Sequence, residues 1–129
     1  MGANKTSLSA GEIIREILSS DPEVAARTNK IFPVAVDNAD LPYVLYRRVQ
    51  LEQVPVKDRR GADTVGIEVM CYTAQYTEGV ELAEAVRAAL DGRQAGLDGL
   101  RMRSCFLSDS EEAWQDDAYV QQLIFTVKI

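Results

Sequence analysis

The order of periodic stretches along the chain predicts an α+β domain: an antiparallel β-sheet of about four strands with helices packed on one face. Three observations carry this. Apolar and polar residues alternate with a period of two through residues 43–53, 64–73 and 119–129. Apolar residues recur at helical spacing as Ile13, Ile14, Ile17 and Leu18, and again as Leu82, Ala83, Val86 and Leu90. Turn-forming residues separate each periodic stretch from the next. The chain has 129 residues, 47% of them hydrophobic, which suffices for one modest core and one domain spanning 1–129. Residues 1–9 are polar and expected to be flexible; they contain no apolar run of the kind a secretory signal or membrane span needs.

Ser9 and Glu12 have the spacing of a capping box ahead of the first helix. Asp21 followed by Pro22 predicts a capped second helical segment carrying Val24 and Ala25. Ile31-Phe32-Pro33 reads as a short extended piece at a strand end or sheet edge, because proline lacks a backbone donor. Asp37 to Asp40 supply turn chemistry before Leu41-Pro42. The strand from Tyr43 to about Gln53 sets Tyr43, Leu45, Val49 and Leu51 against Val44, Tyr46, Arg48 and Gln50, and Arg47 breaks its apolar side. That charge fits a strand that reaches past the core or lies near an edge.

Residues 54–63, with Lys57, Asp58, Arg59 and Arg60 before Gly61, read as the tip of a long hairpin. The return strand, Thr64 to Thr73, puts Val65, Ile67, Val69 and Cys71 on one face and Glu68, Met70 and Tyr72 on the other. Thr77 is the expected cap of a helix from Glu78 to Asp91, stopped by Gly92. A Gly-rich connector, Leu97 to Gly99, leads to a strand from Leu100 to Leu107. The polar run Ser108 to Asp117, with Trp114 in its middle, reads as a loop or hairpin end before a last strand, Tyr119 to Ile129. A terminal strand this apolar must be paired.

The chemistry the chain lacks narrows its function. There is no histidine, the commonest general base and metal ligand. Two separated cysteines, Cys71 and Cys105, do not make a zinc site or a disulfide scaffold and read as buried apolar groups. No phosphate-cradling glycine loop is present. The net charge of -6 opposes binding to nucleic acid phosphates. No catalytic, cofactor-binding or metal-ligating residue is singled out. Glu111 with Glu112 and Asp116 with Asp117 are carboxylate pairs, but without an organised ion-binding loop they read as a solvated face. Arg47, Arg48, Arg59 and Arg60 are flanked by acids and suit a subunit contact, where the guanidinium fork makes several directed bonds. Tyr46, Tyr72 and Trp114 suit either such a contact or a second small cluster.

The order of motifs resembles the bacteriophage tail-completion, or tail-terminator-like, proteins. It is carried by Ile31-Phe32-Pro33, by Leu41-Pro42-Tyr43-Val44-Leu45-Tyr46, by Cys71-Tyr72, and by the run from Leu82 to Gly92 with its L-A-E-A-V-R-A-A-L core. The likeness runs from about Gly11 to the end. The short connector from Asp91 to Leu100 and Trp114 in the last hairpin depart from the pattern. The resemblance implies a structural virion protein without catalytic residues or cofactors. It implies a homo-oligomeric ring, most often of six, that caps the head-proximal end of the tail tube, stops its growth and meets the neck of the head. Its partners would be the tail tube protein and head-neck connector proteins, with no membrane and no specific nucleic acid. Its place would be the virion tail, after assembly in the host bacterial cytoplasm. The expected contact residues are Arg47, Arg48 and Lys57, Asp58, Arg59 and Arg60 on one side. On the other they are Asp109, Glu111, Glu112, Trp114, Asp116 and Asp117. Three rival readings are a head-closure connector, a small enzyme using the carboxylates of the last hairpin, and a ligand-binding module with an apolar pocket under the Ala-rich helix.

Overall fold

The computed structural model describes residues 5–53 and 63–129. Its helices are α1 (Ala10–Ser20), α2 (Pro22–Ala25) and α3 (Tyr76–Leu90). Its strands are β1 (Ile31–Pro33), β2 (Tyr43–Gln53), β3 (Asp63–Thr73), β4 (Ala95–Leu97), β5 (Leu100–Met102), β6 (Ser104–Gln115) and β7 (Ala118–Lys128). Five strands form one sheet in the order β1-β2-β3-β7-β6, and β4 and β5 form a separate ribbon. The antiparallel four are β2, β3, β7 and β6. The Ile31-Phe32-Pro33 piece adds a fifth strand that runs parallel to β2. Its proline is tolerated because it sits at the outer edge.

One face of the sheet is covered by α1 and α3. Ile13, Ile14, Leu18, Leu82, Val86 and Leu90 from the helices bury themselves against Val65, Ile67, Val69, Leu123, Phe125 and Val127. Each such side chain contributes about 1.5–3 kcal/mol by leaving water. These residues fill the space beneath α3 where a ligand-binding module would carry its apolar pocket. The other face carries a smaller cluster of Leu45, Tyr72, Ala118 and Val120, flanked by Phe32, Leu41 and Tyr43. Tyr43 stacks on Tyr72 with ring centroids 4.7 Å apart.

Several local expectations change. Tyr46 lies with Val44 on the helix-covered face, not on the opposite face. The Ser9 hydroxyl makes no capping bond; a 3₁₀ turn at Ser7–Ser9 precedes α1, and the Thr6 hydroxyl accepts from the Leu8 N–H. Asp21 does cap α2, accepting from the Glu23 and Val24 amides. The α3 helix starts at Tyr76, ahead of the expected Thr77 cap, and Gln75 precedes it without a side-chain bond. Gly92, at φ +79°, ends it in the left-handed conformation that glycine tolerates.

The polar run is a hairpin end rather than a loop, strand from Ser108 to Gln115 and turn at Asp116 and Asp117. Its backbone pairs along β7 from Asp109↔Ile124 to Gln115↔Ala118, and a two-residue turn closes the hairpin. Asp116 and Asp117 both have positive φ, 53° and 59°, the geometry that matches the twist of a tight hairpin and that aspartate adopts more readily than most residues. The expected single strand over residues 100–107 is also split. Leu100 and Met102 point inward, the chain breaks at Arg103, and Cys105 then takes the inward position, leaving Phe106 exposed.

Candidate interaction surface on two half-open sheet edges

Each outer strand of the sheet is covered along only part of its length. On β2, the ladder to β1 ends at Pro33↔Tyr46, with a last bond from the Val34 N–H to the Tyr46 carbonyl. Beyond Tyr46, no strand among the described residues lies outside β2. A bulge between Arg48 and Gln50 interrupts this stretch, and Val49 and Leu51 are exposed on it. On β6, the inner stretch is covered by the end of α3. The Gly92 N–H donates to the Cys105 carbonyl and the Leu107 N–H to the Asp91 carboxylate. From Asp109 to Gln115 the outer edge is open among the described residues. Open edges recruit further strands unless charge, a bulge or a cover blunts them, and here all three occur beside an uncovered stretch.

The expected contact residues that are described fall on these two stretches and on the turn that follows β6, at opposite ends of the sheet. Arg47 and Arg48 lie on β2 and point to opposite faces. Arg47 Nε donates to Glu68 Oε1 at 2.6 Å, and the Gln122 amide donates to the other oxygen of the same carboxylate. Glu68 is buried, so this pair compensates a charge that would otherwise be costly to remove from water. Arg48 donates to the Leu8 carbonyl at 2.8 Å. It helps line a shallow groove of about 390 Å³ with Leu8, Gly11, Pro33, Val34 and Tyr46. Lys57, Asp58, Arg59 and Arg60 lie outside the described residues.

The acidic set is gathered on the β6–β7 hairpin. Asp109 accepts from the Ser110 N–H just past a bulge, and Glu111 is exposed on the face away from the helices. Glu112 Oε2 accepts from the Tyr76 hydroxyl at 2.9 Å and the Gln121 amide at 2.8 Å. These bonds hold its carboxyl below the usual carboxylate range. Trp114 packs edge to face on Tyr119, its cross-strand partner, with centroids 4.9 Å apart. Asp116 and Asp117 form the turn, which accounts for that pair of carboxylates without acid–base chemistry.

Two residues of this surface, Tyr76 and Tyr119, were not singled out from the sequence. Tyr76 sits on a helix start and Tyr119 on an alternating strand, so neither departs from an ordinary pattern. Close packing at Gly79 sets Tyr76 in place: a Cβ there would lie 2.8 Å from the Thr73 hydroxyl, which donates to the Gln75 carbonyl just before α3. A side chain larger than hydrogen would lift the start of α3 off β3.

The cysteines stand apart from this surface. Cys71 is opposite Gln121 and Cys105 opposite Val127, six residues apart along β7, so about 20 Å of strand separates them. Burial pushes both thiols up to about 12, with Asp91 adding to the effect at Cys105. Neither is a ready nucleophile. Among the described residues, no group of three or more His, Cys, Asp or Glu is placed to hold a metal, and no helix is long and apolar enough to cross a membrane.

Comparison with known proteins adds three findings. The family model described as Tail completion protein gp17 matches residues 12–129. A chain of the solved virion of a native gene transfer agent (GTA) particle has the same fold, with a TM-score of 0.81 at 19% identity, covering 95% of this chain and 98% of that chain. Among curated proteins, none matches.

Proposed function

The chain belongs to the tail completion protein gp17 family of phage tail structural proteins, and on that premise we propose that it caps the head-proximal end of a tail tube. There it ends tail polymerisation and joins the finished tail to the head. It acts as a closed ring of identical subunits, six in our reading, with tail tube protein on one side and head-neck connector proteins on the other. It is a docking part rather than a catalyst, assembled in the host cytoplasm and carried in the virion tail.

The observation that supports this reading is the pair of half-open edges. β2 and β6 run antiparallel, since both neighbours between them alternate direction. A second copy in the same orientation, shifted along the strand direction to bring the two diagonally placed stretches level, can therefore set its open β2 stretch against the open β6 stretch of the first and continue the ladder. The contact is head to tail, which closes into a ring when the rotation per subunit divides a full turn and the strands tilt to the ring axis enough to absorb that shift. Its charges are complementary, Arg47 and Arg48 against Asp109, Glu111 and Glu112, with Trp114 as an aromatic anchor.

Electron microscopy of particles made without this gene tests the proposal. Tails of uncontrolled length, or finished tails that fail to join heads, are the expected result. Normal particles in its absence would overturn it.

A further inference from the structure

Tyr76, Trp114, Tyr119, Glu112, Ala113 and Gln121 line an open cleft of about 250 Å³. It exists because the β6–β7 hairpin runs past the start of α3. On the helix-facing side of the sheet, α3 covers β7 at Leu123 and Phe125 and approaches Gln121 at Gly79, while Glu112 and Trp114 on β6 stay exposed among the described residues. Tyr76, at the first position of α3, closes one side. Tyr76 and Trp114 stand at 76° and 73° to the Tyr119 ring, so neither lies flat on it. Trp114 is 59% and Tyr76 47% exposed.

The electrostatics of this cleft select one kind of guest. The faces of aromatic rings carry partial negative charge and attract cations, tryptophan most strongly. Glu112 adds a full charge at the wall. Both of its hydrogen bonds fall on Oε2, leaving Oε1 without a partner among the described residues. Residues 109–119 contain five carboxylates and no lysine or arginine, so no cation in this stretch competes for the place. A planar guanidinium matches the cleft better than an ammonium, since it can lie against a ring and direct an N–H at a carboxylate together.

We propose that this cleft is a receptor for an arginine side chain presented by a neighbouring protein. The guanidinium lies among Tyr76, Trp114 and Tyr119 and donates to Glu112 Oε1. The inference rests on reading the hairpin as a docking surface. The depressed carboxyl of Glu112 keeps the wall charged into mildly acidic solution.

Trp114 is the sole tryptophan, so its fluorescence reports on this cleft without interference. The full chain is titrated at low salt with N-acetyl-arginine amide, and in parallel with the lysine and the uncharged citrulline amides. A saturable change with arginine in the millimolar range is expected, weaker by about threefold for lysine and by tenfold or more for citrulline. Glu112→Gln should weaken arginine binding about fivefold to tenfold at unchanged unfolding temperature. Amide shifts on titration should centre on Tyr76, Glu112, Trp114 and Tyr119. Equal responses to arginine and citrulline, or no saturation by 100 mM (on the order of the weakest meaningful side-chain affinity), would overturn the proposal. The isolated chain suffices for the measurement, so a silent cleft leaves the tail-capping reading standing, and normal particles without the gene leave the titration standing.

Discussion

Along β7, Leu123, Phe125 and Val127 are buried under helices, while on the neighbouring strand Asp109, Glu111 and Trp114 stand in water. The two stretches belong to one continuous hairpin and one ladder of backbone bonds. What differs is the layer above them. Where α1 and α3 cover the sheet, alternation separates a core face from a second face. Where β6 runs past the helices, its side chains are exposed on both faces and free to be chosen for contact. The open stretch of β2 repeats the arrangement at the diagonally opposite corner with basic residues in place of acidic ones. Coverage, not strand propensity, divides the molecule into a part that holds the fold and a part left open to solvent.

Substitutions can break or sharpen that division. The largest effect belongs to the covered part. Phe125→Ala removes the largest fully buried side chain and should cost about 3–5 kcal/mol, read by urea unfolding. A loss below about 1 kcal/mol would mean that the core is not where the division puts it.

Arg47 lies at the border, half exposed itself but paired to a buried carboxylate. Arg47→Ala leaves Glu68 with Gln122 alone and should cost about 1–2 kcal/mol, less than for a fully buried pair because water reaches the vacated site. Double-mutant analysis with Glu68→Gln should recover part of the loss; full additivity would show the two residues uncoupled.

Next comes Val34, which holds φ +63° where β1 turns away from the edge of β2, with a short bond from the Ala35 N–H to the Pro33 carbonyl. A β-branched residue is strained there. Val34→Gly should raise stability by about 1 kcal/mol, the relief exceeding the entropy of glycine. Thermal unfolding checks it, and destabilisation would show that the exposed valine is packed after all.

The smallest effect on folding is expected in the open part. Asp109→Lys with Glu111→Lys should change stability by less than about 0.5 kcal/mol. Yet particles assembled with this variant should fail at joining tails to heads. If they join normally, the acidic stretch is not a contact and the division loses its functional half.

Much of this was legible in the sequence, and the failures have physical causes. The alternation of Val65, Ile67, Val69 and Cys71 and the helical stripe of Leu82, Val86 and Leu90 locate the covered part, because burial imposes a period on the residues that undergo it. The strand from Asp109 to Gln115 was hidden because it is covered on neither face and so carries no apolar period. Its extended form comes from pairing with β7 and from the Asp116–Asp117 turn. The split at Arg103 was hidden for a related reason: one residue outside the ladder reverses the inward phase, and Leu100, Met102, Cys105 and Leu107 belong to a single inward set only if that break is known. The cleft needs Tyr76 beside Glu112, residues that meet only once α3 has been laid on the sheet.

The antiparallel relation of the two outer strands carries a geometric consequence. If copies are joined by continuing the ladder, every Asp116–Asp117 turn points to one rim of the assembly and the far end of every β2, at Gln53, to the other. A plate made this way has two chemically unlike sides by construction, one acidic and aromatic, one not. A part wedged between two different neighbours would then know which way up to sit without any further instruction.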